Sequence, residues 1–113
     1  MDFWKTLDHI LDSHEIVIDR PQGSAHPKVS DMIYPFDYGY LKGTSSGDGN
    51  EIDVCKGTLR KNQLVAIICT VDINKQDTEV KLLVDCTDTE IAIIDRFFNR
   101  QKFGGGLVIR RNI

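Results

Sequence analysis

The feature that most limits what this chain can fold into is the run Leu64 to Ile73, LVAIICTVDI, followed after a short polar stretch by Glu79 to Asp85, EVKLLVD. The first is the strongest β signal in the chain, and the second pairs naturally with it as a strand across Asn74 to Thr78. A second β region comes earlier. Glu15 to Asp19 (EIVID) reads as a strand stopped by Pro21 and a Gln22-Gly23-Ser24 turn. Tyr34 to Leu41 (YPFDYGYL) reads as irregular strand pieces around a bend, because Pro35 and Gly39 both disturb a regular ladder. Ile52 to Cys55 begins another strand after the flexible Gly43 to Asn50 loop, and Leu107 to Arg110 closes the chain as a last one.

Helices belong at the two ends. Phe3, Leu7, Ile10 and Leu11 recur at helical spacing, predicting a short amphipathic helix over residues 2 to 12. Thr87 followed by Glu90 is a capping-box pattern opening a second helix, with Ile91, Ile94, Phe97 and Phe98 on its apolar face and Gly104 to Gly106 ending it. The expectation is a mainly β (α+β) fold, a small barrel of OB-fold type flanked by an N-terminal and a C-terminal helix. With 113 residues, the chain is expected to form one domain over 1–113.

Composition narrows the functional classes. A formal charge of −3 argues against a general nucleic-acid binder. No apolar stretch is long enough to span a bilayer, and the charged first twenty residues contain no signal-peptide core. Cys55, Cys69 and Cys86 form an odd set without a Cys-x-x-Cys pair and read as free thiols, which suits a reducing, cytoplasmic setting.

The chemistry concentrates in Tyr34 to Gly57. Asp48 sits in a glycine-flanked loop and Asp53 enters a strand, so both carboxylates can converge on one hard cation such as Mg²⁺. Taken alone, Asp48 in a Ser-Gly-Asp-Gly loop reads more readily as an ordinary turn aspartate. The surrounding residues add to this. Tyr34-Pro35-Phe36-Asp37-Tyr38-Gly39-Tyr40 followed by Asp48-Gly49-Asn50-Glu51-Ile52-Asp53-Val54 resembles, in order and spacing, two segments of the soluble Mg²⁺-dependent inorganic pyrophosphatases.

The resemblance extends outward. Val17-Ile18-Asp19-Arg20-Pro21 with Lys28 matches the family's acid and its phosphate-binding lysine. Asp72, and then Glu79-Val80-Lys81 with Asp77 as an alternative carboxylate, match an aspartate and an Asp-x-Lys on successive strands. Phe97-Phe98-Asn99-Arg100-Gln101-Lys102 keeps a phosphate-binding lysine of the last helix but has Gln101 for a tyrosine. The resemblance thus implies Mg²⁺, with Mn²⁺ as an alternative, held by Asp48, Asp53, Asp72, Asp77 and Glu79. It implies phosphate held by Lys28, Lys81, Lys102 and Tyr38. Asp19, Asn50, Glu51 and Tyr38 become the candidate catalytic residues. The implied activity is hydrolysis of pyrophosphate or a related phosphoanhydride by metal-activated water. The alternative is a weak or inactive phosphate- or nucleotide-binding module on the same scaffold. Partners are then phosphate-containing small molecules rather than membrane or nucleic acid, and homo-oligomerisation stays open.

The chain departs from the family pattern in three places. A hairpin that brings a phosphate-binding arginine is missing between Lys28 and Tyr34, leaving Arg20 or His26 as substitutes. Gln101 replaces the tyrosine. Asn50 stands where the family has a base, and an amide cannot accept a proton at neutral pH.

Overall fold

A computed structural model of the protein describes residues 2–112. The elements run α1 (Phe3–Asp12), β1 (Ile16–Arg20), β2 (Asp37–Leu41), β3 (Asp53–Lys56), β4 (Leu64–Asp72), β5 (Asp77–Val84), α2 (Asp88–Asn99) and β6 (Gly104–Arg110). The expected mixture of strands with a helix near each end is present. The strands form one six-stranded sheet in the order β1-β2-β3-β5-β4-β6. This sheet is open, with β1 and β6 as its edges, so the barrel expected from the sequence is corrected to an open, OB-like sheet. All neighbouring pairs are antiparallel except β3 with β5.

Two predicted details shift. The β4–β5 connection is tighter than the Asn74–Thr78 turn expected, because Asp72 pairs with Asp77 and Gln76 turns the chain in the left-handed region at φ 55°. Gly104 to Gly106 do not end α2, whose C-cap is Arg100; they open β6 instead. Of the three, Gly106 is the crowded one, and it matters for close approach rather than for turning. A Cβ on Gly106 would stand 2.7 Å from Ile68 Cδ1 and 3.4 Å from Phe98 Cβ, between β4 and α2.

The alternation of strand side chains divides the core between the two faces of the sheet. On one face Tyr38, Cys55, Ala66, Ile68 and Leu83 pack with Ile91 and Ile94 of α2, and Phe97 and Phe98 lie against them. On the other, Leu41, Val54, Ile67, Leu82 and Val84 pack with Leu11, and Trp4, Leu7 and Ile10 of α1 complete the layer. α1 is capped by the Asp2 carboxylate, and α2 by the complete Thr87–Glu90 capping box. Gly39 explains the break inside the tyrosine segment. Its missing Cβ would fall 1.8 Å from the Val17 carbonyl oxygen, so only glycine lets β1 close on β2.

All three cysteines are free, Cys55 and Cys86 being buried. Burial pushes the Cys86 thiol up to about 12, which keeps it protonated and inert at neutral pH. Among the described residues no helix is long and apolar enough to cross a membrane.

Candidate functional site

The period of two along β5 places Asp77, Glu79 and Lys81 on the face that α2 covers, together with Leu83. The neighbouring strands set Tyr38 opposite Cys55 and Asp53 opposite Tyr40. The side chains meet around Lys81. Its ammonium is buried, and donates to the Tyr38 hydroxyl at 2.8 Å, to Asp53 Oδ2 at 2.7 Å and to Glu79 Oε2 at 2.6 Å. It also lies 5.4 Å from the centre of the Tyr38 ring. Burial alone works against a charged lysine, but Tyr38, Asp53 and Glu79 outweigh it and hold the ammonium above its usual range. The phenol of Tyr38 is pushed up by burial, with Lys81 opposing, so it stays neutral and can donate.

A second cluster adjoins the first through Glu79. Carboxylate oxygens of Asp48, Asp77 and Glu79 lie within 4.8 Å of one another. Asp48 is fixed by its loop: its Oδ1 accepts from the Ser46 hydroxyl at 2.5 Å and from the Asn50 N–H at 2.9 Å. The Ser46 hydroxyl, the hydrogen bond to Glu79 and the Asn50 N–H together drive Asp48 well below the ordinary carboxylate range. Glu79 moves the other way, raised by burial and by Asp48 and Asp53 against the pull of Lys81. Carboxyl groups this close repel one another when both are ionised, so the pair favours a shared proton or a bound cation.

This set of oxygens suits a hard divalent cation, which takes carboxylates and keeps water in its remaining positions. The three best-placed donors are Asp48, Asp77 and Glu79. Asp53, expected beside them, instead has its recorded partner in Lys81. Asp72 shares the Asp77 rung but accepts from the Lys75 N–H in the hairpin turn at 3.0 Å, and stands outside the acidic group.

The other expected residues are more scattered. Asn50 belongs to the Asp48 loop, its side-chain amide 3.4 Å from Asp48 Oδ2. Glu51 accepts from the Gly43 N–H at 3.0 Å, which closes the base of the same loop. Asp19 is exposed on β1. Lys28 is exposed in the loop after β1, where its N–H donates to His26 Nδ1. Lys102 is exposed beyond α2 with its ammonium 5.2 Å from the Phe103 ring. Among the described residues no hydrogen bond or ion pair joins Lys28 or Lys102 to the Lys81 cluster. Gln101 turns back on α2, donating to the Phe97 carbonyl at 2.7 Å, and lines a groove of about 370 Å³ with Arg96 and Arg100.

Two participants were not among the expected site residues. Ser46 supplies the hydroxyl that orients Asp48, which a Ser two residues before an Asp in a Gly-rich loop suggests only after the fact. Tyr34 accepts from Arg20 Nη1 at 2.6 Å and stacks on Tyr38 with ring centres 5.3 Å apart.

This fold recurs in solved structures of low sequence identity. An inorganic pyrophosphatase from Coxiella burnetii aligns over 84% of this chain and 84% of its own, with a TM-score of 0.60 at 16% identity. An inorganic pyrophosphatase from Helicobacter pylori aligns over 87% and 85%, with a TM-score of 0.57 at 16% identity. An inorganic phosphatase from Anaplasma phagocytophilum aligns over 84% and 81%, with a TM-score of 0.57 at 20% identity. No curated protein sequence matches the chain. The inorganic pyrophosphatase family model matches residues 12–73, a span that covers more than half of the 113 residues and includes the tyrosine segment, the Asp48 loop and Asp53. The chain belongs to the inorganic pyrophosphatase family.

Proposed function

We propose that the protein hydrolyses inorganic pyrophosphate, or a closely related phosphoanhydride, with a divalent cation such as Mg²⁺ or Mn²⁺. The observation that carries this reading is the juxtaposition of an acidic triad, Asp48, Asp77 and Glu79, with a buried ammonium, Lys81, through the shared Glu79 side chain. A site that splits a phosphoanhydride needs that pairing, carboxylates for a cation and a fixed positive charge for the phosphoryl oxygens. The cation would be held by Asp48, Asp77 and Glu79, and when bound it supplies charge neutralisation and a more acidic water. Lys81 gives up part of its contact with Asp53 or Glu79 to a phosphoryl oxygen, and Tyr38 donates its hydroxyl proton alongside. Asp53 keeps the ammonium aimed. Asp19, Lys28, Asp72 and Lys102 make no hydrogen bond or ion pair with the Lys81 group among the described residues, and in this reading they act at the periphery of the substrate.

In a thermal-melt assay, Mg²⁺ at a hundred times its Kd should stabilise the wild type by about 2.7 kcal/mol, through binding the folded state alone. Asp48→Ala should remove that shift and the Mg²⁺-dependent release of phosphate from pyrophosphate together. If the wild type releases no phosphate from pyrophosphate at any Mg²⁺ or Mn²⁺ concentration, the hydrolytic reading fails.

Asn50 favours a second reading, a weak enzyme or a phosphate-binding module, because its amide contributes a donor toward Asp48 where a base would accept. Asn50→Asp is nearly equal in volume and should raise the rate of pyrophosphate hydrolysis by roughly a hundredfold if a missing base is the defect. A wild type that is already fast, with Asn50→Asp neutral or slower, would show that no base is missing. Binding of Mg²⁺ and pyrophosphate with no turnover in either protein would establish the binding module.

A further inference from the structure

The β1–β2 ladder contains a β-bulge. Ile18 pairs with Gly39, but the next rung joins Arg20, not Asp19, to Tyr38. The extra residue, Asp19, leaves Arg20 in register with the tyrosine whose hydroxyl binds Lys81. The guanidinium carbon of Arg20 lies 5.6 Å from the Tyr34 ring centre and 5.7 Å from that of Tyr38, and Nη1 donates to the Tyr34 hydroxyl. Two cations, Arg20 and Lys81, therefore stand around a single phenol ring.

Arg20 is only half used by the fold. Stacking occupies the face of a guanidinium and leaves its edge free, and of five N–H donors one is engaged among the described residues. It has no carboxylate at ion-pair distance among them, in a chain with 17 acidic residues. His26 is held below its usual range first by burial and then by the charges of Arg20, Lys75 and Lys28. Against burial, Asp19, next to Arg20 in the chain, helps raise the guanidinium. His26 itself stacks on Tyr34, with ring centres 6.3 Å apart.

We propose that Arg20 is a phosphate-binding residue of the same site, its fork aimed by the Tyr34 hydroxyl and the two stacked tyrosines so that its free edge grips one phosphoryl group while Lys81 meets the other. This rests on the phosphoanhydride reading above. The arrangement gives the site a guanidinium from strand β1, so no additional hairpin is required to deliver one. A planar fork matches two oxygens of a phosphoryl group, which a lysine at the same place does not.

The test combines steady-state kinetics with calorimetric titration of pyrophosphate into the Mg²⁺-loaded protein, for the wild type, Arg20→Gln, Arg20→Lys and Tyr34→Phe. Arg20→Gln should weaken pyrophosphate binding and raise KM at least tenfold, with a smaller fall in kcat and no change in Mg²⁺ affinity measured without anion. Arg20→Lys should recover only part of the loss. Tyr34→Phe, which keeps the stacked ring but frees the fork, should raise KM several-fold. All titrations are run well below each variant's melting temperature, so a merely structural Arg20 would lower that temperature and leave anion affinity alone. Wild-type affinity for pyrophosphate in Arg20→Gln overturns the inference while hydrolysis by the wild type stands. A wild type that neither binds nor hydrolyses pyrophosphate overturns the functional reading and this inference with it.

Discussion

Lys81→Met should lower kcat/KM for pyrophosphate by about a hundred- to a thousandfold, the usual effect of deleting one preorganised charge-stabilising donor. Met nearly matches the length of the lysine stem, and Lys81 is packed among the aromatic residues of the α2 face, with the Phe98 ring centre 5.6 Å from its ammonium. The cavity cost is therefore small. The electrostatic cost is larger, because Asp53 and Glu79 both lose their cation.

That loss gives the variant two further signatures. With the ammonium gone, the acidic group should bind Mg²⁺ more tightly in the absence of substrate even as catalysis collapses. The second is a pH dependence. Glu79 is already raised in the folded protein, and losing Lys81 removes the one influence that lowers it. A carboxyl whose folded pKa is raised stabilises the fold below its unfolded value and loses that contribution as pH climbs through the folded value. Metal-free Lys81→Met should thus lose stability as pH rises above about 4.3, more than the wild type does, and Mg²⁺ should restore it. Urea titrations across pH 4 to 7, with and without Mg²⁺, read this directly. Activity within a few-fold of wild type would make Lys81 a structural pin rather than a phosphate-binding cation.

Asp85→Ala should be the most destabilising single change away from the site, at about 3–5 kcal/mol, the range for stripping one partner from a buried ion pair. Asp85 is 2% exposed and directly follows β5 at φ 58°, a left-handed conformation that aspartate tolerates better than most residues. Its carboxylate accepts from the N–H groups of Lys61, Asn62 and Gln63 at 3.2, 3.1 and 2.9 Å, and meets the Lys56 ammonium at 3.2 Å. One side chain thus satisfies three consecutive backbone donors of the β3–β4 connection and ties it to β5. Alanine would orphan all of them. Asp85→Asn keeps the shape but weakens the acceptors and removes the charge, so it should cost less, about 1–3 kcal/mol.

Asp85 also sets an acid limit. Although burial opposes it, the backbone N–H groups and Lys56 hold the carboxyl below its usual range. Its contribution is present above the unfolded value and disappears as pH falls through the lower folded one, below about 3.9. In Asp85→Asn the unfolding free energy should be flatter through that acid range than in the wild type. A loss under 1 kcal/mol for Asp85→Ala in chemical denaturation would refute the anchoring role.

The sequence by itself determined the elements and the family. Local chemistry was enough: β-branched runs marked β4 and β5, the Thr87–Glu90 pair marked the start of α2, and the tyrosine and Asp48 segments carried the family pattern. Each of these depends on neighbours a few residues apart, where spacing and side-chain type decide the outcome. The grouping of the site was legible only in part. Glu79 and Lys81 alternate along one predicted strand, so their common face could be read from a period of two, whereas Asp77 fell in the expected turn; Asp48 was visible as a loop carboxylate. Their meeting depends on the parallel pairing of β3 with β5, a contact between distant segments that no local pattern encodes.

Only the tertiary structure decided the rest. Asp53 was expected among metal ligands and has Lys81 as its ion-pair partner, because the β2–β3–β5 order brings a buried ammonium beside it that needs a counter-charge. The openness of the sheet was hidden as well, since closure depends on strand tilt and stagger rather than on residue type. The rung that pairs Arg20 with Tyr38 follows from one extra residue in β1. A bulge changes which side chain faces a partner without changing the composition of the strand, so the strand signal around Asp19 was clear while the identity of the residue opposite Tyr38 was not.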